Sequence, residues 1–254
     1  MINCDGKRVV PDVSVDRGTW LPELSVARQG WSAAARCLIS GYVDAYTLLK
    51  FRLFASFMSG NTTMAGVAGG EMKCASAARN LLPIPFFVLG VVIGTSMVSV
   101  KPQRALPRIC WLVAAMLLLD LVAGNCGCPW WLHIMILSSA MGILNSSITK
   151  VGGQRVSLGF ITGDLNSLGQ QLALCLRREA VSHPVSQRDT HKLRILILAS
   201  LWCFFLGGAC VGSLIASHLT LWTLLPAVVT LCIVGLAESA EYSRAQDGAA
   251  TTSP

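Results

Sequence analysis

An all-α, polytopic transmembrane helix bundle is what this sequence predicts, built from two tandem repeats. Three observations carry the prediction. Of 254 residues, 53% are hydrophobic and only 13% are charged, about half the charge a soluble domain usually carries. Mean hydropathy is +0.59, and the apolar residues fall into runs of near-bilayer length. A polar stretch, Phe57-Met58-Ser59-Gly60-Asn61-Thr62-Thr63-Met64-Ala65-Gly66, returns as Phe160-Ile161-Thr162-Gly163-Asp164-Leu165-Asn166-Ser167-Leu168-Gly169.

Taken in order, residues 1–30 are polar and irregular and read as an N-terminal tail, with no apolar run behind positive charge that would make a cleavable signal. Eight apolar segments follow, near 33–49, 53–70, 82–100, 108–124, 130–149, 156–176, 194–216 and 219–237. The third, fourth, seventh and eighth are strongly apolar. Asp44 interrupts the first, the Ser59–Thr63 cluster the second, and Asp164 and Asn166 the sixth; the fifth opens on the interface pair Trp130 and Trp131 but carries His133 and Asn145. These weaker segments either span facing a polar interior or are broken helices that enter and leave on one side, because irregular backbone is tolerated at that depth only inside protein or a cavity. Six to eight membrane segments result. Residues 239–254 form a polar C-terminal tail.

The repeat reaches beyond its core. Gly41-Tyr42-Val43-Asp44-Ala45 resembles Gly142-Ile143-Leu144-Asn145-Ser146, and Phe87-Val88-Leu89-Gly90-Val91-Val92-Ile93-Gly94 matches Phe205-Leu206-Gly207-Gly208-Ala209-Cys210-Val211-Gly212. Gly90 and Gly94, like Gly208 and Gly212, have the spacing that lets helix backbones approach closely. Residues 33–124 and 130–237 are therefore expected to be two membrane repeats. Four segments per copy make the copies parallel, whereas an odd number makes them inverted. If every segment spans, Arg28, Arg36, Lys73, Arg79 and the loop of Arg177, Arg178, Arg188, Lys192 and Arg194 share the cytoplasmic side. Lys50, Arg52, Lys101, Arg104, Arg108, Lys150 and Arg155 then lie opposite, a division too even to decide orientation by the positive-inside rule. With re-entrant weak segments, Lys50, Arg52, Lys150 and Arg155 would need partners in the membrane, for which Asp44 and Asp164 are candidates.

The net charge of +7 sits in short loops, not a binding stripe, so no nucleic-acid partner is expected. The expected partners are the lipid bilayer and a small solute or ion, with a homo-oligomer left open. Of ten cysteines, Cys37, Cys110, Cys175, Cys203, Cys210 and Cys232 lie in apolar segments as small hydrophobes. Cys126-Gly127-Cys128 lacks a second ligand pair, so no metal and no cofactor are expected.

The paired motifs, with Ala140-Met141-Gly142-Ile143-Leu144-Asn145, resemble the YoaK-type family of bacterial membrane proteins, grouped under a domain of unknown function. The resemblance covers about residues 33–237. Ser59 stands where that family usually shows Thr, which keeps the hydroxyl. It implies a multi-pass bacterial inner-membrane protein of six or more helices and transfers no reaction.

The candidate pathway residues are Asp44, Ser59, Gly60, Asn61, Thr62, Asn145, Thr162, Gly163, Asp164 and Asn166. Strongly polar groups at membrane depth are costly and commonly functional, and discontinuous helices at repeat interfaces form transporter sites. The plainer alternative is that Asn, Ser and Thr simply bond across helices; the two carboxylates favour function. Asp120 and His133 read as interfacial, His183 and His191 as loop residues, and His218 as part of a short turn. A transporter is the leading expectation and a membrane scaffold the alternative. An enzyme is not expected: the two aspartates lack the Gly-x-Gly-Asp context, and no zinc-protease, nucleophile-elbow or phosphate-loop motif is present.

Overall fold

Low charge and long apolar runs leave intrahelical hydrogen bonding as the economical way to satisfy the backbone. The computed structural model describes residues 26–100, 102–147, 161–179, 181, 189–218 and 222–251. Among them there are nine helices and no strand: α1 Val26–Phe51, α2 Met58–Gly70, α3 Cys74–Leu81, α4 Pro83–Val100, α5 Pro102–Asn125, α6 Trp130–Asn145, α7 Ile161–Leu176, α8 His191–His218 and α9 Leu225–Thr251. Seven of the eight expected segments correspond to one helix each. The second divides into a connector, 52–57, and α2, and α3 is an additional short helix. α9 continues through most of the polar stretch after 238.

Three prolines sit where helices begin: Pro83 and Pro102 are first residues, and Pro129 precedes α6, where a missing N–H costs nothing; Pro107 lies inside α5. Cys74–Val100, Arg104–Asn125 and His191–His218 are long and apolar enough to cross a membrane, and two shorter apolar helices are Trp130–Asn145 and Leu225–Ala240. α4 is inside-out by the standard of a soluble helix. It buries Pro83, Gly90 and Gly94, while Val88, Leu89 and Val92 are at least half exposed. Small residues make the contact and large apolar ones face out, as lipid requires.

Two crossings organise the bundle. On α1 against α8, a Cβ on Gly41 would overlap the Phe205 carbonyl, one on Gly208 the Leu38 carbonyl, and one on Gly212 the Tyr42 carbonyl. On α4 against α6, a Cβ on Gly142 would overlap the Phe87 carbonyl, one on Gly90 the Ser139 carbonyl, and one on Gly94 the Ile143 carbonyl and Ser146 hydroxyl. The crossings repeat one another position for position. Leu38, Gly41 and Tyr42 correspond to Ser139, Gly142 and Ile143, just as Phe87, Gly90 and Gly94 correspond to Phe205, Gly208 and Gly212.

The same contacts orient the helices. Leu38 meets Gly208 and Tyr42 meets Gly212, so α1 and α8 run the same way; by the matching argument so do α4 and α6. The Tyr42 hydroxyl donates to the Thr223 carbonyl and Arg36 reaches Glu238, so α9 runs against α1. Phe51 stacks on His133 and Arg36 reaches Ser147, so α6 also runs against α1. His133 meets Asp120 across a four-residue turn, making α5 antiparallel to α6. Hence α1, α5 and α8 point one way and α4, α6 and α9 the other, between an Arg36 end and a Lys50 end.

α2 and α7 differ from these six. The chain reverses at Arg52, whose φ of 56° lies in the left-handed region usually given to glycine at helix ends. Residues 53–57 then fold back beside Asp44, and α2 leads out again to α3. Arg79 of α3 donates to the Phe51 carbonyl at 2.9 Å, which places α3 at the Lys50 end. α7 ends at the opposite face, where Gln171 meets His191. α2 and α7 therefore lead to opposite ends.

Sidedness departs from the alternation expected of eight spanning segments. Arg104, Arg108, Arg177, Arg178, Lys192 and Arg194 share the Arg36 end, while Lys73 and Arg79 join Lys50 and Arg52 at the other. Lys101, Lys150, Arg155, Phe160, His183 and Arg188 lie outside the described residues. The difference arises because α2 returns to the end it came from, which reverses α4, α5 and α6; α7 then ends at the Arg36 end, so Arg177, Arg178, Lys192 and Arg194 keep the side expected of them.

Gly207 and Gly208 provide an internal test, since a Cβ on Gly207 meets nothing within 4 Å. Gly208→Ala should lower thermal stability by roughly 1–3 kcal/mol through forced separation of α1 and α8. Gly207→Ala should be neutral or mildly stabilising; melting of both variants in the same detergent distinguishes them.

Candidate functional site

The polar residues of the first half close on the connector they precede. Asp44 is 4% exposed. Its Oδ1 accepts the Ser56 backbone N–H at 2.7 Å and its Oδ2 the Ser56 hydroxyl at 2.5 Å. The Ser40 hydroxyl donates to Ser56 Oγ at 3.1 Å, and the Ala55 and Phe57 N–H groups also point at the carboxylate. Asn61, 1% exposed, holds the other side of the loop. Its Oδ1 accepts the Phe54 N–H at 3.0 Å and its Nδ2 donates to the Phe54 carbonyl at 2.7 Å. Backbone left without helical partners at membrane depth is thus satisfied by two side chains. Gly60 is needed because a Cβ there would overlap the Phe57 ring.

The remaining candidates separate. Asp164 is buried on α7 and acts electrostatically on Cys37 of α1, two helical turns from Asp44. Asn145 is half-buried at the end of α6, and Gly163 is half-buried. Ser59, Thr62, Thr162 and Asn166 are exposed on the outer faces of α2 and α7, and the Thr62 hydroxyl donates to the Met58 carbonyl of its own helix. The structure therefore brings Asp44, Gly60 and Asn61 together around one connector, keeps Asp164 apart on α7, and leaves Ser59, Thr62 and Thr162 outside both.

Two buried polar centres were not legible as sites. His133 Nδ1 and Asp120 Oδ1 are 2.8 Å apart between α6 and α5, and both residues are nearly inaccessible, so they face each other inside the bundle. Lys50, which donates to the Tyr46 hydroxyl at 2.9 Å, acts on Asp120 and not on Asp44; the expected Lys50–Asp44 partnership does not form. At the Arg36 end, Ser32 donates to Glu238 at 2.5 Å, and Arg36 donates to Ser32 at 2.7 Å and lies 3.4 Å from Glu238. His191 is likewise no loop residue: it opens α8, buried, with Nδ1 at 2.7 Å from Gln171. His218 is the last residue of α8. The Trp pair beside His133 was the misleading signal, since it marks the helix start but not the direction of the histidine. Spacing held a usable clue: Asp120 and Glu238 differ by the same offset as Gly90 and Gly208.

Among the described residues no cluster of His, Cys, Asp or Glu is arranged to hold a metal ion.

A family model described as "Protein of unknown function (DUF1275)" matches residues 32–237. The chain belongs to this family. Within the range of that DUF1275 match lie all six glycines of the two crossings and Asp44, Gly60, Asn61, Asp120, His133 and Asp164. UPF0700 transmembrane protein RA0705 of Rhizobium meliloti (strain 1021) is 32% identical over 209 residues, covering 80% of this chain and 84% of that protein. UPF0700 transmembrane protein YoaK of Bacillus subtilis (strain 168) is 27% identical over 144 residues, 54% of this chain and 64% of that protein. No solved structure matches. These relatives and the long apolar helices make the DUF1275 chain a multi-pass membrane protein in contact with the lipid bilayer.

The two sides of Asn61's α-helix make a direct comparison. Asn61→Ala should cost roughly 1–3 kcal/mol, because it strands the Phe54 N–H and carbonyl. Thr62→Ala should stay within about 0.5 kcal/mol. Thermal unfolding monitored by circular dichroism in one lipid or detergent checks both.

Proposed function

We propose that this protein is a carrier for a small solute or ion, built from two inverted copies of three crossing helices and one further helix. The observation that carries the reading is that α2 and α7 lead to opposite ends and bear Asn61 and Asp164 at corresponding positions. In this reading α1, α4 and α5 correspond to α6, α8 and α9, and each helix of one set points opposite to its counterpart. Three crossings per copy, an odd number, replace the four that implied parallel copies. Inverted repeats with discontinuous helices are a recurring design of membrane carriers, because exchanging the conformations of the two halves opens the site to alternate sides.

Asp44 and Asn61 hold the connector of the first half, and in this reading Asp164, a buried carboxylate on α7, supplies the polar group of the second. That division also favours a second reading, a membrane scaffold, since a polar knot satisfied by its own chain needs no ligand.

In the same reading the Arg36 end is cytoplasmic. Arg104, Arg108, Arg177, Arg178, Lys192 and Arg194 gather there against Lys50, Arg52, Lys73 and Arg79 opposite, the bias the positive-inside rule describes.

Reconstituted full-length protein should move at least one member of a panel of small ions and polar solutes. Asp164→Asn should slow it by roughly tenfold or more, the worth of one hydrogen bond to a charged group. Flux in Asp164→Asn and Asn61→Ala equal to wild type for every solute and for protons refutes the carrier and leaves the scaffold. For orientation, single-cysteine versions retaining Cys126 or Cys175 should react differently with a membrane-impermeant thiol reagent. Cys126 should label in intact cells and Cys175 only after permeabilisation.

A further inference from the structure

Asp120 and Glu238 occupy corresponding positions on α5 and α9, and their partners correspond too: His133 on α6 stands where Ser32 stands on α1. Asp120 is buried and Glu238 partly so, and each is bonded to the neighbouring helix, one at the Lys50 end and the other at the Arg36 end. The two centres differ chemically. Glu238 faces a guanidinium, which stays charged at any relevant pH, and its partner arrangement is closed by Ser32. Asp120 faces an imidazole, and its second oxygen, Oδ2, is buried without a hydrogen-bond partner. A buried carboxylate oxygen with a free lone pair is where an added proton can be held.

We infer that Asp120, hydrogen-bonded to His133, is the proton-binding site of this bundle and is loaded from the Lys50 end. The inference rests on the carrier reading, in which this proton is the coupling ion. Asp120 lies five residues from the end of α5, about 8 Å along the helix. A polar path approaches it there: Lys50 is exposed, its ammonium donates to the Tyr46 hydroxyl, and both Lys50 and Tyr46 interact electrostatically with Asp120. The groups facing Asp120 are thus His133 from α6 and Lys50 and Tyr46 from α1. α4 contains no charged residue, and α9 none before Glu238.

The step is a simple addition. A proton from water at the Lys50 end forms an O–H bond at Oδ2, and no other covalent bond changes. The carboxylate becomes neutral, so the charge on Lys50 loses its balancing partner and the hydrogen bond to His133 loses its charge assistance. Both changes loosen the contact of α5 with α6 and α1. Release of the same proton restores it. Glu238, locked to a permanent cation, does not cycle, which gives the two halves unequal roles.

Infrared difference spectroscopy of the full-length protein in lipid, stepped from neutral to acidic pH, reads the carbonyl stretch of a protonated buried acid directly. Wild type should gain such a component, and Asp120→Asn should lose it, while Asp44→Asn and Glu238→Gln retain it. His133→Gln should shift its midpoint, which guards against misfolding of the Asp120 variant. An identical titrating component in Asp120→Asn, its absence from wild type, or an unmoved midpoint in His133→Gln overturns the proposal. The titration needs no solute. A component assigned to Asp120 in a protein that moves no solute or proton refutes the carrier and leaves the proton site standing; pH-dependent flux identical in Asp120→Asn does the reverse.

Discussion

Backbone-to-backbone contact at two helix crossings sets the spacing of the whole bundle. Gly41, Gly208 and Gly212 bring α1 onto α8, and Gly142, Gly90 and Gly94 bring α4 onto α6, each with a carbonyl in the space a side chain would take. Lipid chains offer no hydrophobic gain for bringing apolar helices together, so close packing and weak backbone contacts must supply the association. Leucines and valines are then free to face outward. The inversion of a soluble core, with small residues inside and large ones outside, follows from the solvent.

Close crossings also determine where charge can be placed. α1 carries Arg36 and Asp44 through the interior, and neither is tolerable at depth without partners. Arg36 is met by Ser32 and Glu238, and Asp44 by the connector 52–57. The connector in turn can leave helical geometry only because Asp44 and Asn61 satisfy its backbone. Charge burial and helix breakage are therefore solutions to one problem, with each supplying the partner the other lacks.

The glycine crossings were legible because their constraint is local: a Gly-x-x-x-Gly spacing on an apolar helix has few other uses, and both pairs pack as that spacing predicts. Asn61 and Asp44 were legible as unusual, but their role was not, since the same amide that lines a pathway also clamps a backbone. Asp120 and His133 were not legible as a pair, because distance from an aromatic belt says nothing of direction. His133 lies only three residues into α6, yet it points at α5 and stacks on Phe51.

Membrane residence, the helical class and the close-packing glycines all follow from composition and short spacings, because the bilayer acts on each segment separately. Helix direction and the partners of buried charges do not. Whether 53–70 crosses or turns back depends on Asp44, nine residues before it begins, and on Asn61 closing around the same loop. That one reversal changes the side on which Lys73, Arg79, Arg104 and Arg108 fall. Contacts between residues distant along the chain decided it: Arg36 with Glu238, Tyr42 with Thr223, and Leu38 with Gly208.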